Sequence, residues 1–195
     1  MTNRFVDQAK SQYGALEKLL SRLPGVGGYM DKELRRDADF KLRQMIAENL
    51  SQPLHDLATV QQKLLKEGGL LLLDECGTCV TRLQTLIDRV KSASYGYAGL
   101  FDAIKVREEQ LDALNRFDIS LAASVEKLQT GVSALTDALK SSDAKESLGT
   151  IIEQVTDLID ELTELFNKRN QAIIAPDLLT DSTYVPEVDP KLLKP

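Results

Sequence analysis

The side chains with the most chemistry to offer are two cysteines three residues apart, in the run Cys76-Gly77-Thr78-Cys79. A Cys-x-x-Cys pair can serve as a dithiol redox site or as half of a four-thiolate metal site. The chain has no other cysteine, so four thiolates around one zinc would require two chains. A thioredoxin-type setting, with Leu70–Leu73 as the feeding strand, needs more parallel strands than the sequence offers. More simply, both cysteines fall on the apolar stripe of a helix, where Cys packs as a small hydrophobe. They stand as the candidate metal or redox ligands. Nothing else in the sequence calls for a metal or a cofactor.

His55 is the single histidine. A helix-bundle carboxylate metal site wants Glu-x-x-His on two helices; residue 52 is Gln52 and no second histidine exists. No nucleophile elbow surrounds a serine or cysteine, so no catalytic residue is assigned. His55 reads as a structural side chain at the flank of a helix seam. Gly25-Val26-Gly27-Gly28 follows a helix and lacks both the Walker spacing and the dinucleotide fingerprint, so it reads as a turn.

Asp118 takes a position that the surrounding pattern reserves for an apolar residue. A carboxylate buried there is costly unless paired. It can specify register, as polar residues in coiled coils do, or meet Arg116 or a basic group on a neighbouring helix. The simplest expectation is a third one: the seam swings locally to Phe117 and leaves Asp118 in water.

Tyr95-Gly96-Tyr97-Ala98-Gly99-Leu100-Phe101 gathers three of the ten aromatics into seven residues. Glycines beside aromatics present large rings while letting backbones approach. The stretch reads as a corner between helices that plugs the end of a bundle. Tyr95, Tyr97, Leu100 and Phe101 are also the candidate interface for a partner or a second copy.

The elements that must hold these residues are helical throughout. Val6, Ala9, Tyr13, Leu16, Leu20 and Leu23 place a first helix at about residues 3–23, ended by Pro24 and the glycines after it. A second runs from about Asp31 to Glu67 with Leu42, Ile46, Leu50, Leu54, Leu57 and Leu64 near one face. Pro53 predicts a kink or brief break in it, with Ser51 able to cap a new segment. Gly68-Gly69 supplies the turn. The third helix, at about 70–93, has the seam Leu72, Cys76, Cys79, Leu83, Leu86 and Val90.

A fourth helix, at about 103–140, carries Leu111, Leu114, Asp118, Leu121, Val125, Leu128, Val132, Leu135 and Leu139 in its seam. At 1.5 Å per residue it spans roughly 55 Å. Asp143 and Glu146 resemble a capping arrangement ahead of a fifth helix, at about 144–171, with Leu148, Ile151, Val155, Leu158, Leu162 and Leu165. From Pro176 onward the chain is acidic and Pro-punctuated, a tail either disordered or strapped along the body.

The fold class is therefore all-α: an elongated antiparallel helical bundle with coiled-coil-like long helices over residues 1–175, and a tail over 176–195. The 195 residues include 43% hydrophobic and 28% charged side chains with 5% aromatics, the balance of long helices. Residues 1–46 hold 9 basic against 6 acidic side chains and the rest 15 against 24, for a net charge of −6. An acidic body repels phosphate backbones, which excludes nucleic acid as a partner. The polar N-terminus shows no secretory signal, the longest apolar run is Leu70–Leu73, and two cysteines make no secreted scaffold; these features place the chain in the cytoplasm.

Long amphipathic helices must bury their stripes against something. The leading expectation is a non-enzymatic structural or protein-interaction module that associates with itself or with another helical protein. The amphipathic helix at residues 3–23, with Arg4, Lys10, Lys18 and Arg22, makes a peripheral membrane surface the second class of partner. A thiol-redox or metal protein using Cys76 and Cys79 is the third. No small-molecule pocket is implied.

Overall fold

The computed structural model describes residues 32–66, 69–93, 108–140 and 147–189. The expected first helix, the turn at 24–28, the Tyr95–Phe101 corner and the Asp143–Glu146 cap lie outside these residues. The described chain holds α1 (Lys32–Lys66), α2 (Leu70–Ser92), α3 (Glu108–Lys140), α4 (Leu148–Ile174) and a 3-10 turn (Pro176–Thr180), with no strand among the described residues.

The seams expected of α1, α2 and α3 are the ones that bury. Leu42, Ile46, Leu50, Leu57 and Leu64 on α1, Cys76 to Val90 on α2, and Leu114 to Leu139 on α3 all lie in the core. Leu54 and Leu72 are half-buried. On α4 the stripe sits one residue further round than expected. Ile152, Ile159 and Phe166 are buried alongside Leu148, Val155 and Leu162, while Ile151, Leu158 and Leu165 are half-buried. The 3-4 spacing can be threaded through either set, and the bulkier Phe166 selects the inner one. Each fully buried Leu, Ile or Phe contributes roughly 1.5–3 kcal/mol, so these stripes dominate the stability.

Pro53 does not break α1, which runs continuously from Lys32 to Lys66. The reason is local. Proline has no N–H, so the Asn49 carbonyl one turn earlier loses its intrahelical donor. Gln129 on α3 supplies a replacement, donating from Nε2 to the Asn49 oxygen at 2.9 Å. Replacing Gln129 with Ala is expected to cost about 1–2 kcal/mol by leaving that carbonyl bare. In a Pro53→Ala background the backbone N–H returns, so the cost should largely vanish. A double-mutant cycle in urea measures the coupling.

The chain divides into two compact units. One comprises Arg43–Ala93 and Lys127–Glu164, and the other Met1–Leu42, Ser94–Glu126 and Leu165–Pro195. In the first, the turn between α1 and α2 is tight. The Gly69 N–H donates to the Leu64 carbonyl at 2.8 Å, and a Cβ on Gly69 would stand 2.9 Å from Leu64 Cδ2. A larger residue there must first displace the tip of the Leu64 side chain. This reversal makes α1 and α2 antiparallel. On α3, a Cβ at Gly131 would lie 3.1 Å from Leu158 Cδ1 on α4, so glycine permits a close helix approach. Residues Cys79 and Arg82 of α2 meet Thr156 and Asp160 of α4 in the same order along both helices, which makes α2 and α4 parallel. The unit is thus a four-helix bundle with apolar heptad-like seams.

In the second unit the segment after α4 folds back and packs. Leu179 is buried in a cluster with Ala113, Leu114, Phe117, Ala172 and Ile173, and Leu178, Tyr184 and Val185 lie against it. Gln110 Nε2 donates to the Pro176 carbonyl at 3.0 Å. The Asp181 carboxylate accepts from the Thr183 N–H and hydroxyl, and its carbonyl accepts from the N–H of Tyr184 and of Val185. That turn returns Tyr184 to α4, where its hydroxyl lies 3.0 Å from both the Lys168 carbonyl and Gln171 Oε1. Of the two conditions expected for the tail, residues 176–189 take the strapped one.

Candidate functional site

The most distinctive polar grouping is built on three helix seams. On α1, Asp39 precedes Leu42 and Ile46 in the buried stripe. On α3, Asp118 falls between Leu114 and Leu121. On α4, Arg169 follows Phe166 and precedes Ile173. All three are buried, Asp118 and Arg169 at 0% exposure. Arg169 bridges the carboxylates: Nε donates to Asp118 Oδ1 at 2.5 Å and Nη1 donates to Asp39 Oδ1 at 2.6 Å.

The expectation that Asp118 stands in water is therefore overturned. Phe117 is indeed in the core, but Asp118 is there as well. A buried carboxylate is tolerated once a guanidinium on a neighbouring helix neutralises it through a short, charge-assisted hydrogen bond. Arg116, the local alternative, is not the residue in the bridge. The sequence reading missed Asp39 and Arg169. Their signal was present in the spacing, since Ile152, Ile159 and Phe166 carry the α4 stripe onward to Arg169 and Ile173.

The chemistry open to this group is restricted. Guanidinium stays charged across the physiological range, and burial denies substrate access to the three side chains. The grouping joins helices rather than presenting reactive atoms. Arg82 and Asp160, in the other unit, form an ion pair on the surface, with about half of each side chain exposed. Such exposed pairs contribute little.

Cys76 and Cys79 are free thiols, both buried in the four-helix unit. Cys76 Sγ faces the Leu57 carbonyl at 3.7 Å, and Cys79 Sγ lies 3.0 Å from Thr156 Oγ1 and 3.8 Å from the Ile152 carbonyl. Burial, reinforced by the neighbouring Cys79, pushes the Cys76 thiol up to about 12. Burial also raises Cys79, against the opposing pull of Thr156 and Arg82. The thiolate is the reactive and ligating form, so these side chains are held as inert thiols. Because the folded state favours the thiol, the contribution of Cys76 to stability is fully present below the unfolded value near 9 and is lost as pH climbs toward 12. A maleimide at pH 8 is expected to leave both unlabelled in the native protein and to label both in denaturant, as read by intact mass.

His55 is exposed on α1. No group of three or more His, Cys, Asp or Glu side chains among the described residues could hold a metal ion, and no described helix is long and apolar enough to cross a membrane. Tyr95, Tyr97, Leu100 and Phe101, the expected interface, lie outside the described residues, as does the amphipathic segment at 3–23. Among the described large hydrophobic residues, four are exposed: Leu65 at 59% and Leu71 at 92%, on either side of the α1–α2 turn, and Phe40 at 44% and Ile174 at 58% in the other unit. No protein-family model, curated protein or solved structure matches the chain.

Proposed function

We propose that the chain is a non-enzymatic helical interaction protein of the cytoplasm that associates with itself. The observation that carries this is the leucine pair flanking the α1–α2 turn, since Leu71 is 92% exposed and Leu65 59% exposed, while most leucines of the helix seams are buried. Exposed apolar groups concentrated at one place mark interaction surfaces. The buried thiols and the buried charged group point the same way, because both are built into packing and neither offers a reactive face to solvent. Free thiols suit a reducing compartment.

Self-association of this kind pairs the same patch on two copies. A Leu71→Cys variant tests it. The native thiols are buried and protonated, so a short bis-maleimide reacts at position 71 alone. Efficient cross-linking to a species of twice 21.6 kDa is expected. Complete monofunctional labelling at position 71 with no cross-linked dimer would contradict the proposal.

A further inference from the structure

The seams of α3 and α4 are nearly self-similar every seven residues. On α3, Leu114, Leu121, Leu128 and Leu135 occupy one line of the stripe, and Val125, Val132 and Leu139 the other. On α4 the lines are Leu148, Val155 and Leu162, and Ile152, Ile159, Phe166 and Ile173. Sliding one helix past the other by a heptad would still set the α3 leucines against Ile152, Ile159 or Phe166 and the α3 valines against Leu148, Val155 or Leu162, almost as well as before. Apolar burial is non-directional and cannot reject such a slip.

The charged layer can. Asp118 falls in the α3 line that continues as Val125 and Val132, and Arg169 in the α4 line that begins with Leu148. In the observed alignment Arg169 reaches both Asp118 and Asp39. A one-heptad slip of these antiparallel helices would set Asp118 against Leu162 or Pro176, and Arg169 against position 111 or Val125. Each slip parts the guanidinium from its buried carboxylates and sets charged side chains against apolar ones, a costly exchange in a core. Stability alone gives no reason for the layer, because a buried ion pair often gains nothing over well-packed apolar side chains of similar volume.

We propose that the Asp39–Arg169–Asp118 layer is an alignment device, which selects one axial register of α1, α3 and α4 from several that the apolar seams would accept. The layer acts on the difference between registers and not on the difference between folded and unfolded chain.

The test compares the full chain with Arg169→Met and with the triple variant Asp39→Leu/Asp118→Leu/Arg169→Met. Urea midpoints and methyl NMR spectra of Leu and Val are recorded for each. Arg169→Met, which takes the guanidinium away from two buried carboxylates, is expected to raise the unfolded population roughly two hundredfold to five thousandfold. The triple variant is expected to unfold at or above the wild-type midpoint, yet to show more than one set of methyl signals where the wild type shows one. A triple variant with a single signal set and wild-type inter-helix contacts would overturn the proposal. So would a triple variant that unfolds below the wild-type midpoint or fails to fold, since the layer would then be needed for stability itself.

Discussion

Arg169→Met lowers the unfolding free energy by about 3–5 kcal/mol, the cost of breaking a buried ion pair from one side. The size follows from what is left behind. Asp39 and Asp118 remain in the core, each having lost a hydrogen bond to the guanidinium. Neither can recover its hydration without opening the helices. Arg82→Met provides the contrast, because its partner Asp160 is about half exposed and resolvates at once. That substitution should change stability by about 0–1 kcal/mol. Urea unfolding followed by circular dichroism measures both. Equal effects would mean that the buried bridge is no stronger than a surface contact.

Phe117→Ala costs about 3–5 kcal/mol, as expected for emptying a fully buried ring. It should also free the C-terminal strap. Phe117 packs beside Tyr184, with ring centroids 6.0 Å apart, and shares its cluster with Leu179. Removing the ring takes away the floor on which residues 178–185 rest. Chymotrypsin under native conditions should then cleave at Leu178, Leu179 or Tyr184 much faster than in the wild type. Tyr184→Phe keeps the ring and loses only the hydroxyl contacts to Lys168 and Gln171, so it should cost about 1 kcal/mol and leave the strap protected. Unchanged cleavage of Phe117→Ala would show that the strap is held elsewhere.

Much of the fold is legible because helix burial follows a period that residue types reveal. Cys76, Cys79, Leu83, Leu86 and Val90 step along α2 at the seam spacing, and all of them are buried. The spacing alone places the two thiols in the core. It fails where two periodic choices compete. On α4, Ile151 and Ile152 are adjacent isoleucines, and hydrophobicity cannot say which faces inward; the decision comes from packing against the other helices.

The charged layer was hidden for a different reason. Asp39, Asp118 and Arg169 are separated by 51 and 130 residues along the hydrogen-bonded pairs, so no local window contains two of them. Taken singly, each charged residue looks cheaper in water than in a core. Only the registers of three seams, extended together, bring them to one level. Pro53 shows the same logic in reverse. Locally it forecasts a kink or a brief break; the helix runs on without a break, and the amide that takes up the freed carbonyl belongs to Gln129, 80 residues away from the carbonyl it serves. The exposed Leu71 was likewise invisible in the pattern, because the run Leu70–Leu73 reads as core until the turn beside it is placed.

Sedimentation velocity of the intact chain over a hundredfold range of concentration tests self-association most directly. The proposed function predicts a weight-average mass that rises with concentration above the 21.6 kDa of a single chain and falls back when Leu65 and Leu71 are both replaced by Glu. A mass of one chain at every concentration, unaffected by those substitutions, would contradict it.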